Sequence, residues 1–217
     1  MTLREIEPRV SAALAGAKPG AAAHELLSPR PRPGWKPGRL PEECRSGAGL
    51  ILFYPGDAAQ AYLILTLRTQ HLPSHRGQVS LPGGAVEDGE TVQQAALREA
   101  TEEVGLHAAS VRILGSLTPL HIPASGYVLH PVLAATDTPP RLRPAHGEVE
   151  RILEVPFAEL ADPARLRSEP RVLVGASCLV PYFDLCGEKV WGATAMVLAE
   201  LLWLLGTPPD PWSRLAT

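Results

Sequence analysis

Residues 91–105, "TVQQAALREATEEVG", constrain the fold more than any other stretch. Thr91 with Gln94 three positions later has the form of a capping box, so a helix starts there. Gly105 supplies a left-handed cap at its far end. Val92, Ala95, Ala96 and Ala100 give that helix a face of small residues, suited to close packing on another layer. The same helix carries Glu99, Glu102 and Glu103 within about one and a half turns. Like charges at these spacings destabilise a helix by a few tenths of a kcal/mol per pair. Two unit charges about 6 Å apart repel by roughly 3 kcal/mol at an effective dielectric of 20, and by under about 1 kcal/mol in bulk water. A solvated acidic face tolerates the smaller figure. A divalent cation would remove the larger one.

Two apolar runs precede the helix, "AGLILFY" (48–54) and "AYLILTLR" (61–68), separated by the turn signal "PGDAAQ". They predict paired strands. A glycine- and proline-punctuated loop, 69–90, joins them to the helix. "SVRILGSLTPL" and "GYVLHPVLAAT" read as further strands, and "VERILEVPF" as a strand leading into a short helix over 157–166. "SCLVPYFDL" and "KVWGA" read as a hairpin turning at Gly187, and "TAMVLAELLWLLG" as a largely buried last helix. At the other end, residues 1–16 predict a short amphipathic helix with Pro8 in its first turn. "SPRPRPGWKPGRLPEE" (28–43) predicts an extended, solvated linker, whose Arg30, Arg32, Lys36 and Arg39 are candidate phosphate contacts. Helices and strands mix without regular βαβ alternation, which predicts an α/β (α+β) chain with a mixed sheet between helices. A length of 217 residues suits one domain with an extension: an N-terminal helix and Pro-rich arm over 1–45, a main domain over 46–206 and a tail over 207–217.

A net charge of −3 argues against a general binder of nucleic acid or anionic membrane. Cys44, Cys178 and Cys186 form no CxxC pair, so neither a disulfide framework nor a zinc site is expected, and a reducing cytoplasm fits. The start lacks an apolar signal-peptide core, and "AMVLAELLWLLG" is too short to span a bilayer. The oligomeric state is left open.

The helix is part of a longer spacing: Gly84, five residues, Glu90, seven residues, then "REATEEVGL". This resembles the Nudix box, the signature of the Nudix hydrolase superfamily, at Gly84, Glu90, Arg98, Glu99, Glu102, Glu103, Gly105 and Leu106, with Ala100 as a small residue at an aliphatic position. The resemblance implies a Nudix-type α/β/α sandwich and metal-dependent hydrolysis of a nucleoside diphosphate linked to another group. Its chemistry is readable in the residues. Gly83 and Gly84 let backbone approach a phosphate. Carboxylates suit Mg²⁺ or Mn²⁺, with Glu99 and Glu103 as direct ligands and Glu102 binding a second ion or orienting a water. Arg98 is expected to pair with Glu90 and hold the loop on the helix. The general base is left among Glu102, Glu148 and Glu150, the last two reading singly as a solvated loop edge.

"ILTLRTQHLPSHRGQVSLPGG" (64–84) resembles the upstream motif of the coenzyme A pyrophosphatase group of that superfamily. Leu65, Thr66, Arg68, Gly77, Pro82, Gly83 and Gly84 match it; Thr69, Pro73 and Leu81 depart from it. "SGYVLHPVL" and "WGATA" also resemble the group. The implied substrate is coenzyme A, a small nucleotide bearing an extra phosphate, with Arg68 and His75 as candidate contacts. Rival readings are a Nudix hydrolase for ADP-ribose, dinucleotides or nucleoside triphosphates, and a nucleotide-sensing module without catalysis.

Overall fold

The computed structural model describes residues 1–32, 35–69, 77–173 and 175–211. Its centre is β1 (Arg45–Pro55), which is buried over most of its length. It pairs antiparallel with β2 (Ala61–Arg68) and, at its start, with the short β4 (Gly83–Ala85). On its other side it runs parallel to β7 (Tyr127–Ala135), from Arg45↔Tyr127 to Phe53↔Ala135. β3 (Val79–Ser80) and β8 (Val149–Pro156) pair with β2; β5 (Arg112–Ser116) and β6 (Leu120–Ile122) pair with β7. The result is an eight-stranded mixed sheet. β9 (Leu166–Leu173), β10 (Ala176–Leu185) and β11 (Glu188–Trp191) form a separate three-stranded antiparallel sheet.

The continuous apolar run of β1 follows from burial on both faces. Ala48, Leu50, Leu52 and Tyr54 point to one side, where α3 (Val92–Val104) lays down Ala95, Ala96, Ala100 and Val104. Ile51 and Phe53 point to the other. There they share a core with Ile6 and Val10 of α1 (Leu3–Leu14) and with Met196, Val197 and Leu201 of α5 (Ala193–Leu204). The expected mixed sheet between helices is therefore observed. Glu200 of α5 is fully buried, and its carboxylate accepts hydrogen bonds from the Thr118 N–H and hydroxyl and pairs with His24 at 2.9 Å. No helix among the described residues is long and apolar enough to cross a membrane.

Four local expectations are corrected. α1 begins at Leu3, capped by a Thr2–Glu5 box, so Pro8 lies in its second turn. The arm holds a short helix, α2 (Ala21–Leu26), and the start of the stretch expected as a solvated linker is docked instead: Ser28 and Pro29 are buried, and Arg30 exchanges backbone hydrogen bonds with Leu179 at 2.9 and 2.8 Å, while residues 36–43 are exposed as expected. The helix expected over 157–166 is only α4 (Phe157–Leu160) and a 3₁₀ turn, and β9 takes over at Leu166 because it has β10 to pair with. The loop before α3 contains β3 and β4, since two glycines allow the backbone to lie against β1.

Candidate active site

α3 is capped as its sequence dictates. Thr91 Oγ1 accepts from the Gln94 N–H at 3.2 Å, Gln94 Oε1 accepts from the Thr91 N–H at 2.9 Å, and Gly105 closes the helix with φ of 68°. Its alanine face sits flush on β1, and this close approach brings Glu99 and Glu103 down onto the β4 glycines.

Each of the two glycines answers to a different neighbour. A Cβ on Gly83 would stand 2.1 Å from the Ala48 carbonyl oxygen, so strand pairing excludes a side chain. A Cβ on Gly84 would stand 2.3–2.5 Å from the Glu99 carboxylate atoms, so the helix's own acid occupies that space. Glu103 is only 2% exposed; its Oε2 accepts from the Gly83 N–H at 3.1 Å and its Oε1 faces Arg68 Nη1 at 3.4 Å. Burial pushes the Glu103 carboxyl up to about 7, against the pull of the Gly83 N–H and Arg68, and the charges of Glu99 and Glu148 push the same way. Burial also raises Glu99, whose Oε1 accepts from Arg98 Nη1 at 2.9 Å; that bond offsets part of the rise, while Glu102 and Glu148 add to it. Glu102 is exposed and lies 3.3 Å from Arg98 Nη1.

Arg98 pairs with Glu90 as expected, Nε to Oε1 at 3.0 Å and Nη2 to Oε2 at 3.1 Å. Nη2 also donates to the Ala85 carbonyl at 2.9 Å, which ties loop, strand and helix together. The Arg98 fork holds the Glu90 carboxyl below its usual range. Arg68 ends β2 beside the buried acid; its Nε is itself buried and has no hydrogen-bond partner among the described residues. His75 lies outside the described residues.

Of the segment 143–148, the sequence singles out only Glu148. Its backbone is stitched to the end of α3, Arg143 N–H to Val104 O at 2.9 Å and Ala145 N–H to Glu103 O at 2.8 Å. Thr69 completes the link: its N–H donates to Glu148 O at 3.0 Å and its hydroxyl to Gly147 O at 2.9 Å. Glu148 is thereby held where its charge acts on Glu99 and Glu103. Glu150 is exposed on β8, with no such coupling. The signal was Thr69, which pattern reading treats only as a departure from a motif.

No group of three or more acidic, histidine or cysteine side chains is assembled around one point among the described residues. The donors on offer are two desolvated carboxylates, Glu99 and Glu103, and the charge of Glu99 adds to the proton affinity of Glu103. A hard cation relieves that repulsion and takes the rest of its shell from water and phosphate oxygens, so the residues fit Mg²⁺ or Mn²⁺.

Comparison with known proteins agrees with this geometry. Residues 45–174 match the model of the NUDIX domain. Nudix hydrolase 15, mitochondrial, of Arabidopsis thaliana is 36% identical over 163 residues, which cover 71% of this chain and 56% of that protein. This chain thus spans little more than half the length of the plant relative. A protein named "Uncharacterized Nudix hydrolase NudL" from Escherichia fergusonii is 39% identical over 160 residues, covering 69% of this chain and 78% of its own length. The crystal structure of RenU, a Nudix hydrolase from M. smegmatis, superposes with a TM-score of 0.55 at 23% identity, over 76% of this chain and 88% of that one, a likeness of fold.

Proposed function

The chain belongs to the Nudix family, and on that premise we propose that it hydrolyses the pyrophosphate bond of coenzyme A, giving 4′-phosphopantetheine and adenosine 3′,5′-bisphosphate. The observation that carries the reading is the pair of desolvated carboxylates, Glu99 on Gly84 and Glu103 under Gly83, beside Arg68, whose Nε has no hydrogen-bond partner among the described residues. Glu99 and Glu103 would hold a Mg²⁺ or Mn²⁺ ion, which would supply charge screening for the phosphate oxygens and a more acidic water. Glu102, at the exposed edge, orients water. Arg68, whose guanidinium is partly exposed, donates to the diphosphate. Water attacks one phosphorus, the bridging P–O bond breaks, and the second phosphate leaves with the bond's electron pair. We assign the proton-accepting role to Glu148, on the ground that its charge couples to both helix carboxylates while Glu150 has no such coupling. Arg98 and Glu90 act as positioning residues, keeping Gly84 and Glu99 in register.

Coenzyme A as the substrate is supported by the motif of residues 64–84, and a cytoplasmic setting by the three unpaired cysteines. The test is product identification by mass spectrometry after incubation with coenzyme A, ADP-ribose or NADH, each with Mg²⁺ and with Mn²⁺. Coenzyme A should be cleaved first, and cleavage should vanish in Glu99→Gln and Glu103→Gln. Cleavage of ADP-ribose with coenzyme A left intact overturns the substrate. No cleavage of any of them points to a nucleotide-sensing module instead.

A further inference from the structure

The N-terminal arm contains a cation that the site above does not use. Arg32 turns inward from the segment that docks on β10. Its Nη1 donates to Sδ of the fully buried Met196 at 2.7 Å, and its guanidinium carbon lies 4.5 Å from the centre of the Trp35 ring. A thioether is a weak acceptor and an aromatic face is no counter-ion. Among the described residues no carboxylate pairs with Arg32. Burial lowers its guanidinium to about 10, and no acidic neighbour pulls the other way. The half-buried group has lost part of its water without gaining an opposite charge among the described residues, which is costly unless something pairs with it.

A cavity of about 260 Å³ opens beside it, lined by Glu25, Ser28, Arg30, Arg32, Trp35 and three prolines. Glu25 and Arg30 offset each other in sign, so Arg32 leaves the wall net positive. The prolines fix the wall's backbone in advance, which lowers the ordering cost of binding. The volume is below the range of roughly 300–1,000 Å³ typical of drug-sized ligands. It accommodates a phosphate group with a few attached atoms.

We propose that this cavity is a second binding site, which takes the phosphate group of a small phosphorylated molecule on the Arg32 fork against the Trp35 wall. The planar guanidinium matches two phosphate oxygens at once. The site is separate from the helix carboxylates and does not depend on their reading.

The test uses the full ¹⁵N-labelled chain with EDTA present, so that no cation draws phosphate to Glu99 and Glu103. Inorganic phosphate is titrated at constant ionic strength while the Trp35 indole N–H signal, assigned with Trp35→Phe, is followed. Acetate serves as the carboxylate arm. The expected result is a saturable shift with phosphate that is weakened roughly tenfold or more in Arg32→Gln, partly restored in Arg32→Lys, and kept in Arg68→Gln. An absent or non-saturating shift overturns the site, as does an Arg32→Gln titration that matches the wild type. Acetate binding as tightly as phosphate overturns the ligand class. Should Arg32→Gln fail to fold, Arg32→Lys and the phosphate–acetate comparison decide.

Discussion

Replacing Glu103 by Gln should make the cation-free protein more stable at alkaline pH while abolishing its activity. The Glu103 carboxyl ordinarily titrates near 4.5 and is pushed up to about 7 in the fold. Between those values the folded chain holds a proton that the unfolded chain has released, so the wild type loses stability as pH rises through this window. At about 1.4 kcal/mol per pH unit, the ionised Glu103 costs the fold about 3 kcal/mol by pH 8, and under about 1 kcal/mol at pH 5. Gln carries no such cost, but it offers one acceptor where Glu103 meets both the Gly83 N–H and Arg68. That loss, about 1 kcal/mol, is the same at every pH. The change in unfolding free energy on going from Glu103 to Gln should therefore become more favourable to Gln by roughly 2–3 kcal/mol between pH 5 and pH 8. Other titrating groups are common to both proteins and cancel; relief of Glu99 adds in the same direction. Urea unfolding of both proteins with EDTA at the two pH values measures it. Excess Mg²⁺ should reverse the advantage, because it stabilises only the protein that binds it. A pH-independent difference between the two proteins, or one that grows in favour of Glu103, would refute the account of the site as a desolvated acid awaiting a cation.

Four further outcomes follow from the same geometry. Gly84→Ala displaces only the flexible end of Glu99, so it should fold near wild-type stability and lose roughly 100-fold in kcat. Gly83→Ala meets strand backbone instead and should lose roughly 2–3 kcal/mol in urea unfolding. Glu148→Gln should lower kcat by roughly 100-fold or more with little change in KM, while Glu150→Gln stays within about twofold, as read in steady-state assays. Arg98→Lys keeps the charge but not the fork to Glu90 and Ala85, and should cost roughly tenfold in kcat with a Tm shift of only about 1–3 °C, because the pair is partly exposed.

What the sequence revealed and what it hid divide along one physical line. Local rules, whose causes lie within a few residues, were legible: the Thr91–Gln94 cap, the Gly105 stop, the Arg98–Glu90 pair and the alternation of strands on β1. Features set by contacts between distant segments were not. β9 forms because β10 lies beside it, and the arm is ordered because Arg30 finds Leu179. The proline-rich composition of 28–43 could not report a surface more than a hundred residues away, on which its first residues dock. The same division runs through the site. Spacing identified Glu99 and Glu103 as candidate ligands, yet a solvated and a buried carboxylate look alike in sequence. The difference comes from three remote partners: β4 glycines that admit the helix, Arg68 at the end of β2, and a segment that Thr69 and Ala145 fasten over it. Thus the acidic cluster on α3 costs little as isolated helix and much once the sheet excludes water from it. That excess, created by tertiary packing, is what a bound cation would recover on entering the site.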